Sequence, residues 1–200
     1  LKTQKFDLIH AETFYVMPHI PETKIPVLLV EQTIEYLVYR HYADSQHNLL
    51  LKPFLYFDVL KMKYWEKRFW GQAKKVAAMS LEDKRIMLSQ LPNLDVDIVP
   101  NGVDSGFFGQ SIAKRLKVPI VLYLGNFTWL QNREAVEVLV NKVWPKIKAK
   151  VSLARLWIIG KDAEKFFPGL SADDIRVEEI SDVREVYQQA SVLVAPIYGG

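Results

Sequence analysis

The sequence predicts an α/β chain of two parallel-sheet units, each doubly wound and each incomplete. Three observations predict it. Apolar runs alternate with stretches of helical periodicity through the first hundred residues, the pattern of a parallel sheet covered by helices on both faces. Residues 97–104, Asp-Ile-Val-Pro-Asn-Gly-Val-Asp, then break that pattern with consecutive turn-makers. A second alternation opens at 119–125 with Pro-Ile-Val-Leu-Tyr-Leu-Gly, apolar enough to require a central strand buried on both faces.

Residues 5–10 read as a short strand ending at His10, Ala11 and Glu12. Residues 25–30 are a clearer strand, with Pro26 at its start and Glu31 and Gln32 at its C-terminal end. From Thr33, the positions Ile34, Leu37, Val38 and Tyr42 recur at helical spacing. Residues 49–75 interleave aromatic and basic side chains, and Phe57, Leu60, Met62, Trp65 and Phe69 could form a buried stripe. That stretch has two readings: an amphipathic surface touching anionic lipid, or a domain helix whose charges are merely solvated. Residues 76–80 read as a buried strand. Ser80, with Asp83 three residues on, then caps a helix over 81–90 that Pro92 and Asn93 end. Residues 96–99 form the next strand. At the break, Pro100 drives Val99 extended, and Asn101 and Gly102 can take positive φ.

Residues 105–117 are polar and mixed, so the division is 1–104, a linker over 105–118, and 119–200. After the strand at 119–125, a loop over 126–132 leads into a helix whose Ala135, Leu139, Val143 and Ile147 repeat every four residues. Strands follow at 154–160, 174–180 and 191–197. Asp182 caps a helix through Gln189, with Glu185 as the reciprocal partner.

Composition excludes several classes. A net charge of +3 calls for no nucleic acid, and the chain has no cysteine for a disulfide or a thiolate metal site. His10, His19, His41 and His47 have no metal-ligand spacing. No apolar run approaches the roughly 18 residues of a spanning helix. Leu1 at the start and the stop at Gly199 and Gly200 read as an excerpt of a longer protein.

In an open parallel sheet, ligands bind at the carboxyl ends of strands, where helix N-termini offer N–H groups to phosphate. Gly125 and Asn126, Gly160 and Lys161, and residues 196–200 all put small or flexible residues at such ends. Each glycine is equally readable as a packing or turn residue. Neither a Gly-x-Gly-x-x-Gly fingerprint nor a Walker-type phosphate loop is present, which disfavours a dinucleotide-dependent dehydrogenase or epimerase and a nucleoside triphosphatase.

Val-Pro-Asn-Gly-Val-Asp with Phe107 and Phe108 is followed by Leu-Gly-Asn-x5-Asn-x2-Ala-Val at 124–136, Trp144-Pro145, Ala-Arg-Leu-Trp-Ile-Ile-Gly-Lys at 154–161, and Ser-Asp-Val-Arg at 181–184. In that order these resemble the retaining glycosyltransferases of family four, GT-B enzymes with two Rossmann-like domains. Glu31-Gln-Thr-Ile-Glu-Tyr and Ala77-Ala-Met-Ser80 also resemble the family's N-domain pattern. The resemblance implies that 1–104 is the latter part of the acceptor-side domain and 119–200 the first half of the donor domain. It further implies transfer of a sugar from a nucleoside diphosphate sugar to a hydroxyl of a polysaccharide, lipid-linked or similar acceptor, with retention and without an obligatory metal or other cofactor.

The same resemblance puts the donor's diphosphate at Gly125 and Asn126, its nucleoside at Gly160, Lys161, Ile180 and Asp182, and its sugar at the loop that Pro196, Gly199 and Gly200 begin. The lack of cysteine is compatible with the cytoplasm, where the protein is expected, peripheral at the inner membrane face if 49–75 is a lipid surface. Departures are as specific. Asn126 and Leu130 or Gln131 stand near slots that often hold diphosphate-binding cations, Glu179 replaces a common Gly, and Gln32 stands where the family often has His, leaving it the one catalytic candidate. The sugar-contacting glutamate pair would follow Gly200 and the N-terminal glycine-rich loop would precede Leu1, so residues 1–200 alone are expected to be inactive. The departures at Gln32 and Asn126 motivate an alternative, a non-catalytic GT-B-like binding or scaffold protein.

Overall fold

The structure is a computed structural model that describes residues 5–106 and 117–197. The chain divides into two compact units between Val103 and Asp104. The expected linker at 105–118 lies largely outside the described residues, as do Gly199 and Gly200.

The first unit is a parallel sheet of β1 (Ile9–Glu12), β2 (Val27–Glu31), β3 (Lys75–Ala78) and β4 (Val96–Ile98), in that spatial order. Strand β1 starts later than residues 5–10 suggest. Thr13 follows it at φ 64° and leads into a 3-10 turn, Phe14–His19, that the apolar pattern does not reveal. Helices α1 (Glu35–Ser45) and α2 (Lys52–Gln72) join β2 to β3, and α3 (Leu81–Gln90) joins β3 to β4. Ser80 caps α3: its Oγ accepts from the Asp83 amide at 3.1 Å and donates to the Asp83 carboxylate at 2.5 Å.

Two helical faces differ from the expectation. In α1, Tyr36 and Ala43 are buried while Tyr42 is exposed. In α2 the buried side is Val59, Glu66, Phe69 and Trp70, with Leu55 and Met62 packed beside them. Phe57, Leu60 and Trp65 point to solvent instead. A carboxylate in the middle of the true stripe, at Glu66, disguises its phase. After β4, the Val99 amide still reaches the Ala78 carbonyl at 2.9 Å. Neither Asn101 nor Gly102 takes positive φ, so the break at 97–104 needs no left-handed residue.

The second unit is a parallel sheet of β5 (Ile120–Leu124), β6 (Arg155–Ile159), β7 (Ile175–Glu178) and β8 (Val192–Leu193), in the spatial order β7-β6-β5-β8. Alternate side chains enter two cores. Val121, Tyr123, Leu156 and Ile158 meet Ala135, Leu139 and Trp144 on one face, and Ile120, Leu122, Trp157 and Ile159 meet Val186 on the other. Strand β5 is therefore buried on both faces, whereas β8 shrinks to two exposed residues of the expected 191–197.

The helix after β5 is compound: α4 (Leu130–Val138), a π segment (Leu139–Val143) and α5 (Trp144–Lys150). Pro145 has no N–H for the carbonyl four residues back and its ring crowds that carbonyl, so a wider turn precedes it. The widening also explains the four-residue repeat. Positions four apart drift around a regular α-helix, and a π turn brings Val143 and Ile147 back to the face of Ala135 and Leu139. The next connections are α6 (Ala163–Phe166), which has no counterpart in the sequence reading, and α7 (Arg184–Gln189). Asp182 does not form a capping box with Glu185. It takes the Arg184 amide at 2.9 Å and grips the Arg184 guanidinium.

Candidate functional site

In chain order the second sheet reads third, second, first, fourth, so its winding reverses between β5 and β8. An open parallel sheet parts its connecting loops at such a reversal and leaves a crevice at the carboxyl ends of the two strands. Gly125 follows β5 directly, and Pro196 lies just beyond β8.

The loop after β5 is built by its own polar groups. The Asn126 side-chain oxygen accepts from the Thr128 amide at 3.1 Å and the Thr128 hydroxyl at 2.8 Å, an Asx-type turn. The Asn126 carbonyl accepts from Asn132 Nδ2 at 2.8 Å, and Asn132 Oδ1 accepts from the buried Tyr123 hydroxyl at 2.9 Å. Arg133 donates to the carbonyls of Phe127 and Thr128 and lies over the Phe166 ring. These ties hold the loop that enters α4. Asn132 belongs to the Leu-Gly-Asn-x5-Asn motif already singled out in the sequence, whereas Thr128 and Arg133 carried no signal there, because only the folded loop brings them together.

The glycines have a direct packing role. A Cβ on Gly160, whose φ is +141°, would lie 1.9 Å from the Gly125 carbonyl oxygen, and one on Gly125 would lie 3.1 Å from the Tyr123 ring and 3.2 Å from Asn132. The ends of β5 and β6 thus touch backbone to backbone. Gly125 also donates to the Ile159 carbonyl at 3.1 Å, and Phe127 donates to the carbonyl of the exposed Lys161 at 3.0 Å.

Beside them, Glu179, Ile180, Asp182, Glu185 and Gln189 line a polar cleft of about 490 Å³. Glu179 reaches back to accept from the Asp162 amide at 2.8 Å, tying the end of β7 to the turn after β6. The Arg184 guanidinium beside Asp182 holds its carboxyl down at about 2. Arg176 pairs with Glu178, so both arginines near the cleft are matched by carboxylates and the rim carries acid in excess. Such a rim accepts hydrogen bonds from hydroxyl and N–H groups better than it holds phosphate.

At the same edge of the first sheet, Gln32 is exposed and donates to Glu12 Oε2 at 3.0 Å, while His10 Nε2 lies 3.0 Å from Glu12 Oε1. Beneath them Glu31 and Glu66 are buried. Glu66 accepts from the Glu35 and Tyr36 amides at 2.8 and 3.0 Å, capping α1 from another helix. Glu31 accepts from Trp70 Nε1 at 3.0 Å, but its Oε2 lies near the Phe14 amide without completing a hydrogen bond. Burial first, and the Glu66 charge second, push the Glu31 carboxyl up to about 8. Burial likewise raises Glu66 to about 7, against the two amides. No group of residues that could hold a metal ion occurs among the described residues.

Residues 118–200 match the family described as glycosyl transferases group 1. That stretch contains β5 to β8 and the reversal beside Gly125. No curated protein matches the sequence. Among solved structures, the sucrose-phosphate synthase of Thermosynechococcus elongatus is similar at a TM-score of 0.61 and 16% identity, over 96% of this chain and 51% of that one. The likeness is one of fold: both units have the Rossmann-like architecture of GT-B proteins. This chain spans about half the length of that structure.

Proposed function

We propose that the protein is a retaining glycosyltransferase that moves a sugar from a nucleoside diphosphate sugar to a hydroxyl of a glycan, polysaccharide or lipid-linked acceptor. The observation that carries this is the winding reversal beside Gly125, inside the residues that match a family of glycosyl transferases. The diphosphate would meet the loop after β5, and the exposed Lys161, between that loop and the nucleoside end to which the resemblance gives it, would add a cation to the diphosphate. The acid-rimmed cleft at Ile180 and Asp182 suits ribose hydroxyls and base N–H groups. The sugar would face the segment that starts at Pro196 and runs to Gly199 and Gly200. Gln32, linked to Glu12, would act on the acceptor side as a positioning group. The leaving group is a diphosphate, so catalysis is chiefly electrostatic, with no obligatory metal, and the protein works in the cytoplasm.

Lys161 tests the donor assignment, because it is exposed and its removal leaves the core intact. Nucleoside diphosphate affinity of Lys161→Ala is expected to fall about tenfold, the loss of one charge-assisted contact. Unchanged affinity removes Lys161 from the site. Retention is read from the anomeric configuration of the product by NMR, and turnover in a chelator is expected to equal turnover without one.

A second reading, a binding protein without turnover, is favoured by one feature. The loop after β5 spends Asn126 and Arg133 on its own backbone and has Leu130 and Gln131 where cations would help a leaving diphosphate. Donor binding by the full-length protein without transfer or hydrolysis would select it.

A further inference from the structure

Helix α2 has two apolar faces, and among the described residues only one is packed into a core. The inner face carries Leu55, Val59, Met62, Phe69 and Trp70 into the core of the first unit. On the opposite side Phe57, Leu60 and Tyr64, spaced three and four residues apart, are 67%, 65% and 58% exposed. The turn before the helix continues the patch with Leu49 at 76% and Leu50 at 82%. Isolated exposed apolar residues are ordinary, whereas apolar residues gathered in one helical phase mark the kind of surface that meets a partner.

The charges beside the stripe indicate which partner. Lys61 and Arg68 flank it on one side and Lys63 and Lys67 on the other, whereas the acids of α2 are Asp58, paired with Lys61 at 2.7 Å, and Glu66, which is buried. Arg68 donates to the Tyr64 hydroxyl at 3.3 Å and lies over the Trp65 ring, so base and aromatic are presented together. Protein interfaces are depleted in lysine, and here lysine dominates the rim. Long lysine stems let aromatic side chains enter the headgroup layer while the ammonium groups stay among phosphates. No helix among the described residues is long and apolar enough to cross a membrane.

We infer that the outer face of α2, with the Leu49 and Leu50 turn, docks on the surface of an anionic lipid bilayer. The inference gives the peripheral-membrane reading of residues 49–75 a defined face, the one opposite to that used in the core. It stands apart from the transferase reading, because lipid binding is measured without a sugar donor.

The test is co-sedimentation of the full-length protein with phosphatidylglycerol vesicles and with phosphatidylcholine vesicles. Binding is expected only to the anionic vesicles, with release as salt rises. Lys61→Glu with Lys67→Glu is expected to weaken binding at least about tenfold, and Phe57→Ser with Leu60→Ser to abolish it, with melting temperatures unchanged. Leu49→Ser with Leu50→Ser, which lies outside the helix, repeats the test should the helical variant fail to fold. No binding of wild type, or equal binding of the folded variants, overturns the inference. So does a wild-type dimer that Phe57→Ser with Leu60→Ser turns into a monomer, since a second copy would then own the face.

Discussion

Gly160 carries the tightest constraint in the second unit. Its φ of +141° is a conformation that L side chains rarely adopt, and a methyl there would meet the Gly125 carbonyl at 1.9 Å. Gly160→Ala is therefore expected to cost at least about 2 kcal/mol, read from the denaturant midpoint. Gly125→Ala should be milder, because its new methyl would meet side-chain atoms of Tyr123 and Asn132 at 3.1 and 3.2 Å rather than backbone at 1.9 Å. Glu31 makes the opposite kind of prediction. Its carboxyl rises from 4.5 to about 8 on folding, so the folded state holds the proton more tightly than the unfolded chain. Stability should fall as pH rises between these values and level off above them. Glu66, raised to about 7, adds to the slope in the lower part of that window, so Glu31→Gln, which keeps an acceptor for Trp70 and cannot ionise, is expected to reduce the slope and raise the alkaline melting temperature. An unchanged slope would assign the pH dependence elsewhere.

At the scale of elements, α1 is capped from outside itself. Ile34 at its N-cap has no capping side chain, and Glu66 of α2 supplies both acceptors. Glu66→Ala would strand one buried and one part-buried amide and is expected to destabilise by about 2–3 kcal/mol, against about 1 kcal/mol for Ser80→Ala at the local cap of α3. Equal costs in denaturant titrations would contradict that order. The Ser80 cap was legible because Ser and Asp three apart suffice to form it. The Glu66 cap was not, since residues thirty positions apart meet only after the helices pack. The same limit put the buried stripe of α2 on the wrong phase, where aromatic character outweighed a lone buried acid. Strand β5 was legible from an apolar run that only a central strand can carry, whereas the contacts of Thr128 and Arg133 depend on how one loop closes.

For the whole molecule, each unit repeats one physical solution: parallel strands whose carboxyl ends share an edge, with helices covering the faces. The first sheet winds in one direction through β1 to β4, whereas the second reverses beside β5. That reversal, within residues 118–200, is where nucleotide chemistry is proposed to occur. The most direct measurement is isothermal titration of the full-length protein with uridine, guanosine, adenosine and thymidine diphosphates, beside Lys161→Ala. The account predicts that one of the four binds in the micromolar range, about −8 kcal/mol, and that the variant weakens it. A folded protein that binds none of them would contradict it.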